Sequence, residues 1–306
     1  MSENPPGRAT LPRNRRKSGS RSAALAVSPT LRRRRLARQL LTLRAQRGMT
    51  VDAVAKEAKL RAPERPWSAA KVTRIENRQV QKIREVDLLA LLDVYGVTNP
   101  PERDAYVKLA REASQTGWWV GYKEELGTGA YIDLENEASE LLAIEVGFIP
   151  GLLQTSGYAH ALIAGSGVKD PAEIERRVEA RMMRRSVLER PDAPKLTALI
   201  DETAIRKIPA DALEDQVRAL LAPRKGVQVR IIPDSVGPHP ALSGGSTIMR
   251  FKHDPPVVYM EQSSGGQFLE EPDEVAMHEV LFKSVQDVAL SKAETVAFLE
   301  GKLRTV

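Results

Sequence analysis

The residues whose types and spacing suit a chemical task lie in the segment 68–78, SAAKVTRIENR. Arginine pairs bidentately with guanine, an amide matches adenine, and alanine or threonine contacts the methyl group of thymine. The segment contains all of these types, together with a lysine that suits a phosphate. It therefore predicts a surface that reads base edges in the major groove of double-stranded DNA, with the candidate contacts Ser68, Ala69, Ala70, Lys71, Thr73, Arg74, Asn77 and Arg78.

Two short helices joined by a turn must position these residues. Thr50 and Ser68 are of a type that caps helix starts, and Asp52 adds a favourable negative charge to the first turn. Val72 and Ile75 are spaced to face inward, which leaves the polar residues outside. One face of the first helix is apolar, with Val51, Val54, Ala55 and Ala58. We expect Asn77 to adopt the left-handed conformation that ends the second helix. The same pattern also fits an ordinary amphipathic helix pair with a solvated basic face.

Further helices are predicted on both sides of this pair, at residues 28–46, 84–95 and 102–114. Ser28 and Pro29 form a typical helix start. Four arginines, Arg32 to Arg35, crowd the beginning of that helix, where positive charge opposes the helix dipole. A nearby DNA phosphate would relieve this repulsion. The five helices predict an all-α domain at residues 28–114.

The charge of the chain is unevenly distributed. Residues 1–84 contain 22 Lys and Arg and 5 Asp and Glu, a net charge of +17. Subtracting these from the totals of 46 and 40 leaves 24 and 35 in residues 85–306, a net charge of −11. Such asymmetry indicates a polyanion as the partner of the basic part.

Residues 1–27 are polar and rich in Arg, Ser, Pro and Gly, and they predict a disordered arm. Its basic side chains either follow phosphates and enter a minor groove or add only non-specific attraction. They are Arg13, Arg15, Arg16, Lys17 and Arg21.

Residues 115–306 predict a mixed α/β (α+β) domain. Helices are expected at residues 134–146, 155–164, 172–190, 210–221, 274–290 and 292–303. Strands are expected at residues 196–200, 227–232, 247–251 and 257–260, where apolar and β-branched residues alternate or cluster.

The sequence supports no catalytic site, cofactor or metal, and we expect a non-enzyme. The histidines His160, His239, His253 and His278 lack metal-ligand spacing, and there is no cysteine. Asp201, Glu202 and Glu261 lie at predicted strand ends. They either form a site there, or they have a structural role in which they cap helices or pair with Arg206 and Arg230. We favour the structural role. The absence of cysteine and of a long apolar run predicts a cytoplasmic, nucleoid-associated protein that does not contact a membrane.

Two sequence strings, WSAAKVTRIEN and LLALLDVYGV, follow a helix start of SPTLRRRRLARQL, with Ala55 between. On these residues the segment 28–114 resembles the lambda-repressor-like helix-turn-helix domain of bacterial Xre-type regulators. The resemblance implies that the helix beginning near Ser68 is the recognition helix, and that Glu76 has a structural role.

One departure from that family is the connection at residues 59–66, KLRAPERP, which is longer than usual. It either forms a bulge beside the DNA, where Arg61 and Arg65 contact phosphates, or it changes the angle of the recognition helix.

The second domain carries Trp118 and Trp119, the string IPGLLQT followed by SGYA, and an R-x-x-R pattern at Arg181 and Arg184. Later strings are LTALIDETAIR, VQVRIIP and VVYMEQ. On these residues, residues 118–303 resemble the Scr-type, antitoxin-like C-terminal domain of a group of Xre regulators. The resemblance implies a transcriptional regulator that is often paired with a small partner protein encoded nearby.

Two functions follow as hypotheses. The first is a sequence-specific regulator that binds palindromic DNA as a homodimer, with residues 115–306 for dimerisation or partner binding. The second is an antitoxin-like protein whose main role is to hold a small partner, with DNA binding as autoregulation.

Overall fold

The computed structural model describes residues 29–80, 82–115, 129–261 and 266–304. The predicted arm at residues 1–27, the cap at Ser28 and the pair Trp118 and Trp119 lie outside the described residues.

Five helices form the described N-terminal part of the chain, residues 29–80 and 82–115, which we call the head. They are α1 (Pro29–Gln46), α2 (Val51–Arg61), α3 (Ala69–Glu76), α4 (Glu85–Val94) and α5 (Pro100–Ala113). Their inward faces meet in one apolar core, in which the side chains of Leu40, Val54, Val72, Leu88 and Leu92 are fully buried. The periodic apolar residues of the sequence therefore mark this core, and the head is all-α as predicted.

The rest of the chain, which we call the body, contains a six-stranded mixed sheet. The strands are β1 (Glu140–Glu145), β2 (Lys195–Asp201), β3 (Val227–Ile232), β4 (Ser246–Arg250), β5 (Val257–Met260) and β6 (Gln267–Leu269). They lie in the order β3-β2-β1-β4-β5-β6. β1 pairs in parallel with β2 and antiparallel with β4, so that Ala143 is opposite Ala198 on one side and Thr247 on the other.

In the described part of the body, seven α-helices pack around this sheet, and the body is α+β as predicted. They are α6 (Gly129–Glu137), α7 (Ser156–Gly165), α8 (Pro171–Arg185), α9 (Glu202–Arg206), α10 (Ala210–Leu221), α11 (Pro272–Val288) and α12 (Lys292–Leu303). One apolar cluster joins α10 and α12 to the parallel strands, and another joins α11 to the antiparallel part. The sheet is therefore buried between helices.

The prediction of one helix at residues 134–146 was wrong. α6 ends at Glu137, and the following run forms the central strand β1. Leu141, Leu142, Ala143 and Ile144 are all buried. A strand buried on both faces is continuously apolar, and its periodicity does not distinguish it from a buried helix.

Smaller differences concern helix ends and two short elements. α8 ends at Arg185 and continues as a 3₁₀ turn at Ser186–Glu189, whereas a helix to residue 190 was predicted. α5 begins at Pro100, two residues before the prediction, because proline fits the first turn of a helix. α9 and β6 were not predicted, since elements of five and three residues carry little periodic signal.

No helix among the described residues combines the length and the apolar character needed to cross a membrane.

Candidate nucleic-acid interface

The recognition helix predicted from the sequence is α3, and its start is capped as expected. The Ser68 hydroxyl accepts a hydrogen bond from the backbone N–H of Lys71 at 3.2 Å. At the start of α2, the Thr50 hydroxyl accepts one from the N–H of Ala53 at 3.2 Å. Val72 and Ile75 are buried, and Ala55 of α2 is buried as well. These contacts hold α3 in a fixed position on the head.

One face of α3 is free. Ala70, Arg74 and Asn77 follow the spacing i, i+4 and i+7, so they share a face, and all three are exposed. Among the described residues, the side chains of Arg74 and Asn77 have no hydrogen-bond or ion-pair partner. Ser68 and Arg78 are also exposed, at the two ends of the helix. This free face offers the guanidinium and amide groups that base edges accept.

Lys71 does not lie on the free face, and the prediction that its side chain points outward was wrong. Its ammonium lies 2.8 Å from Asp87 Oδ1 and 4.0 Å from the ring centroid of Trp67, and the side chain is only 14% exposed. Ala69 and Thr73 are half-buried. Lys71 therefore joins α3 to the first turn of α4 in this structure.

The long connection between α2 and α3 is held by the same carboxylate. Arg65 donates from Nε and Nη2 to the two oxygens of Asp87 at 2.8 and 2.9 Å. Burial disfavours the charged carboxylate, but the hydrogen bonds from Arg65 and Lys71 outweigh it and lower the pKa of Asp87. Arg61 pairs with Glu57 on its own helix at 2.8 Å. Both arginines that were considered for phosphate contacts thus have acidic partners.

Glu76, near the end of α3, has the structural role that was expected. Arg44 Nε donates to its two oxygens at 2.8 and 3.1 Å, and the same arginine donates from Nη1 to the carbonyl of Met49 at 2.9 Å. The hydroxyl of Tyr95 also contacts Glu76, at 3.4 Å. Burial and the charge of Glu76 raise the pKa of Tyr95. This carboxylate therefore joins α1, α3 and α4.

The end of α3 differs from the prediction. Asn77 is not left-handed (φ −89°), and the left-handed residue is Arg78, with φ +63°. Its N–H bonds the carbonyl of Ile75 at 3.2 Å, and the N–H of Gln79 bonds that of Arg74 at 2.9 Å. This pair of bonds is the Schellman motif, in which glycine is the usual left-handed residue.

Three of the four arginines at the start of α1 pair with acidic residues of this chain, so relief of their repulsion does not require a DNA phosphate. Arg32 Nε lies 3.1 Å from Glu112 Oε2. Arg35 and Arg38 both pair with Asp254 of the body, whose side chain is 3% exposed. Burial opposes ionisation of Asp254, but the hydrogen bond from Arg35 and the charges of both arginines lower its pKa. Carboxylates of this chain therefore neutralise much of the basic start of α1.

The carboxylates at the strand ends act mainly as caps. Asp201 Oδ1 accepts from the N–H of Thr203 at 2.7 Å, and its other oxygen lies 3.0 Å from His239 Nε2. Glu202 accepts from the N–H of Asp234 at 3.1 Å. Of the two structural roles expected, the structure shows capping and not pairing, because Arg206 bonds Asp234 and Arg230 donates to the carbonyls of Ala289 and Leu290.

The other histidines lie in ordinary environments. His278 is buried, and burial lowers its pKa. His253 is exposed, and His160 lies 3.8 Å from Glu175. In the part of the chain that the structure describes, no group of three or more His, Asp or Glu side chains is placed to hold a metal ion.

Arg181 and Arg184, the R-x-x-R pair of the body, connect neighbouring elements, a role that their spacing in the sequence did not predict. Arg184 donates to both oxygens of Glu135 at 2.7 and 2.6 Å and lies 4.7 Å from the ring centroid of Tyr131. Arg181 donates to the side-chain oxygen of Gln154 at 2.7 Å. The two arginines thus join α8 to α6 and to the segment that follows β1.

Glu145, at the end of β1, is a titratable group close to Arg184. Burial, together with the charge of Glu261, raises the pKa of Glu145 to about 7. Glu261 comes directly after β5, so this carboxylate does lie at a strand end, as predicted.

Comparison with known proteins gives two matches. A family model described as a helix-turn-helix domain matches residues 35–106. A family model described as a domain of unknown function, DUF5753, matches residues 128–301. No curated protein and no solved structure matches the chain.

Proposed function

This chain belongs to the DUF5753 family and carries a helix-turn-helix domain, and from these premises we propose that it is a sequence-specific DNA-binding transcriptional regulator. The observation that carries the proposal is the free face of α3, defined by Ala70, Arg74 and Asn77. Base-reading groups on a short helix with a fixed position are what docking in a major groove requires.

The placement of the other charged groups supports this assignment. Lys71 and Arg65 share Asp87, and Glu76 binds Arg44, so these charges fix the helices of the head. Arg74, which has no partner among the residues that the structure describes, is the strongest candidate for a base contact. Ser68 and Arg78, at the ends of the helix, are the candidates for phosphate contacts.

We further propose that the protein is an Xre-type regulator that binds DNA as a homodimer without enzymatic activity. Two-fold protein symmetry matches palindromic sites. The body would then supply dimerisation, partner binding or both.

The test is selection of genomic DNA fragments by the full-length protein at two salt concentrations, about 0.05 M and about 0.2 M. A palindromic site that survives the higher salt is the expected result. Recovery of many unrelated fragments at the lower salt and of none at the higher salt would contradict sequence-specific binding. Such a result would show only attraction between arginines and phosphates. Arg74→Ala is the matched variant and should lose preference at one base.

The second candidate function is the antitoxin-like one, in which the main task is to hold a small protein partner. Exposed apolar side chains on α11 favour a protein contact at the body, since Met277 is 62% and Val280 is 67% exposed. Purification from the native cells, followed by measurement of mass in solution, separates the two proposals. A stoichiometric small protein supports the second, and a mass of two chains alone supports the first.

A further inference from the structure

We propose that Glu270 of the body is an autoinhibitory latch on the recognition helix, which keeps Arg78 from contacting a DNA phosphate. The proposal rests on the proposed function and concerns how the same interface is regulated.

The latch is a single carboxylate held by two guanidinium groups of the head. Glu270 lies between β6 and α11. Its Oε2 pairs with Arg78 Nη1, and its Oε1 pairs with Arg34 Nη1. The guanidinium of Arg34 also lies 4.9 Å from the ring centroid of Phe268 in β6. The edge of the body's sheet is therefore joined directly to the residue that ends α3.

The backbone at Arg78 supports a role for its side chain. Arg78 is the one non-glycine residue with a positive φ among the described residues. Glycine avoids the strain of this conformation, and most side chains do not. An arginine here places a guanidinium at the end of α3, one turn beyond Arg74. In the proposed docking of α3, this guanidinium is available for a phosphate contact.

Competition between carboxylate and phosphate follows from charge. Glu270 cancels one of the two positive charges that it contacts, and the guanidinium of Arg78 cannot bond a phosphate while it is held by this carboxylate. Release of Arg78 adds one phosphate contact and one displaced counterion. Arg34 keeps its pair with Glu270 after that release, so the carboxylate does not lose both partners.

The body does not have to leave the head for this release. Asp254 still holds Arg35 and Arg38, and Asp133 still accepts a hydrogen bond from the Thr30 hydroxyl at 2.7 Å. The latch therefore acts on one side chain of the interface and leaves the contact between head and body in place.

The experiment measures binding of the full-length protein to its selected DNA site as a function of salt. Glu270→Gln should bind more tightly than wild type at low salt. The slope of log K against log salt should become steeper by about 0.9, which corresponds to one added phosphate contact. Glu271→Gln is the matched control, because it removes the same charge at an adjacent exposed residue. It should leave the slope unchanged.

Arg78→Gln tests the same latch without disturbing the Arg34–Glu270 pair. Alone it should leave the slope close to that of wild type, and combined with Glu270→Gln it should remove the gain. The latch is overturned if Glu270→Gln and Glu271→Gln behave alike, if Glu270→Gln weakens binding, or if Arg78→Gln alone flattens the slope by about 0.9. Failure of every variant and of wild type to prefer any DNA sequence would instead overturn the proposed function.

Discussion

The ammonium of Lys71 lies 2.8 Å from Oδ1 of Asp87, and this contact joins α3 to the first turn of α4. Arg65 bonds the same carboxylate, so one side chain holds the long connection and the helix that follows it. Asp87 thus holds both α3 and the connection before it against α4.

Asp87→Ala should lower the free energy of unfolding by about 1–3 kcal/mol, because it leaves partly buried charged donors without an acceptor. Chemical denaturation of the full-length protein measures this change. Asp93→Ala is the control, since the pair of Asp93 with Arg103 is exposed and should contribute less than about 1 kcal/mol. Equal effects of the two variants would contradict the role given to Asp87.

Arg74→Ala should weaken binding to the selected site by about 1–3 kcal/mol and relax the preference at one base pair. Stability should change little, because Arg74 is exposed and has no partner among the described residues. Binding to a set of single-base site variants measures the preference. Arg218→Ala, on an exposed part of the body, removes the same charge and should keep it. An unchanged preference in Arg74→Ala would exclude this arginine as a base contact.

Glu135→Ala should destabilise the body by about 3–5 kcal/mol, since it leaves the guanidinium of Arg184 without its bidentate partner. The Glu135 side chain is 2% exposed. Thermal or chemical unfolding provides the measurement. Glu173→Ala is the control. It breaks a more exposed pair with Arg177, one helical turn away, and should lower the free energy of unfolding by about 0.5 kcal/mol. A change of that size at Glu135 would show that the buried pair is not structural.

The raised pKa of Glu145 predicts that the stability of the protein depends on pH. Its pKa in the folded protein is raised from 4.5 to about 7, so the folded state binds an extra proton between these values. The stabilisation that Glu145 contributes is fully present below about pH 4.5, and it is lost as the pH rises through about 7. Glu145→Gln should therefore flatten the fall in unfolding free energy across that range. Glu214→Gln, at an exposed position, is the charge control, and an identical pH profile in both variants would contradict the assignment.

Local signals in the sequence predicted most of the head. Helix caps depend on residues three apart, and core positions depend on spacing within one helix. For this reason the caps at Thr50 and Ser68 and the buried Val54 and Val72 could be read directly. β1 was misread because its continuous burial removes the alternation that identifies a strand.

The orientation of charged side chains in the candidate site was harder to predict where the partner lies far away in the sequence. Lys71 has the spacing of an outward residue, yet Asp87 on the next helix draws its ammonium inward. Arg35 finds Asp254 more than two hundred residues away along the chain. The spacing of residues in one helix contains no information about such pairs. Arg74 was correctly predicted to lie outside, and no acidic side chain in the described part of the chain pairs with it.

The separation of Arg35 from Asp254 also has a consequence during synthesis. Contacts within the head are local. β1 pairs with β4, for example Ala143 with Thr247, so the sheet cannot form until β4 has been synthesised. Local contacts form faster than distant ones, and N-terminal domains fold first on the ribosome. We therefore expect a period in which the head is folded and Arg35 and Arg38 do not yet have their partner Asp254. During that period the nascent chain presents its highest affinity for any nearby polyanion, including the RNA of the ribosome that makes it.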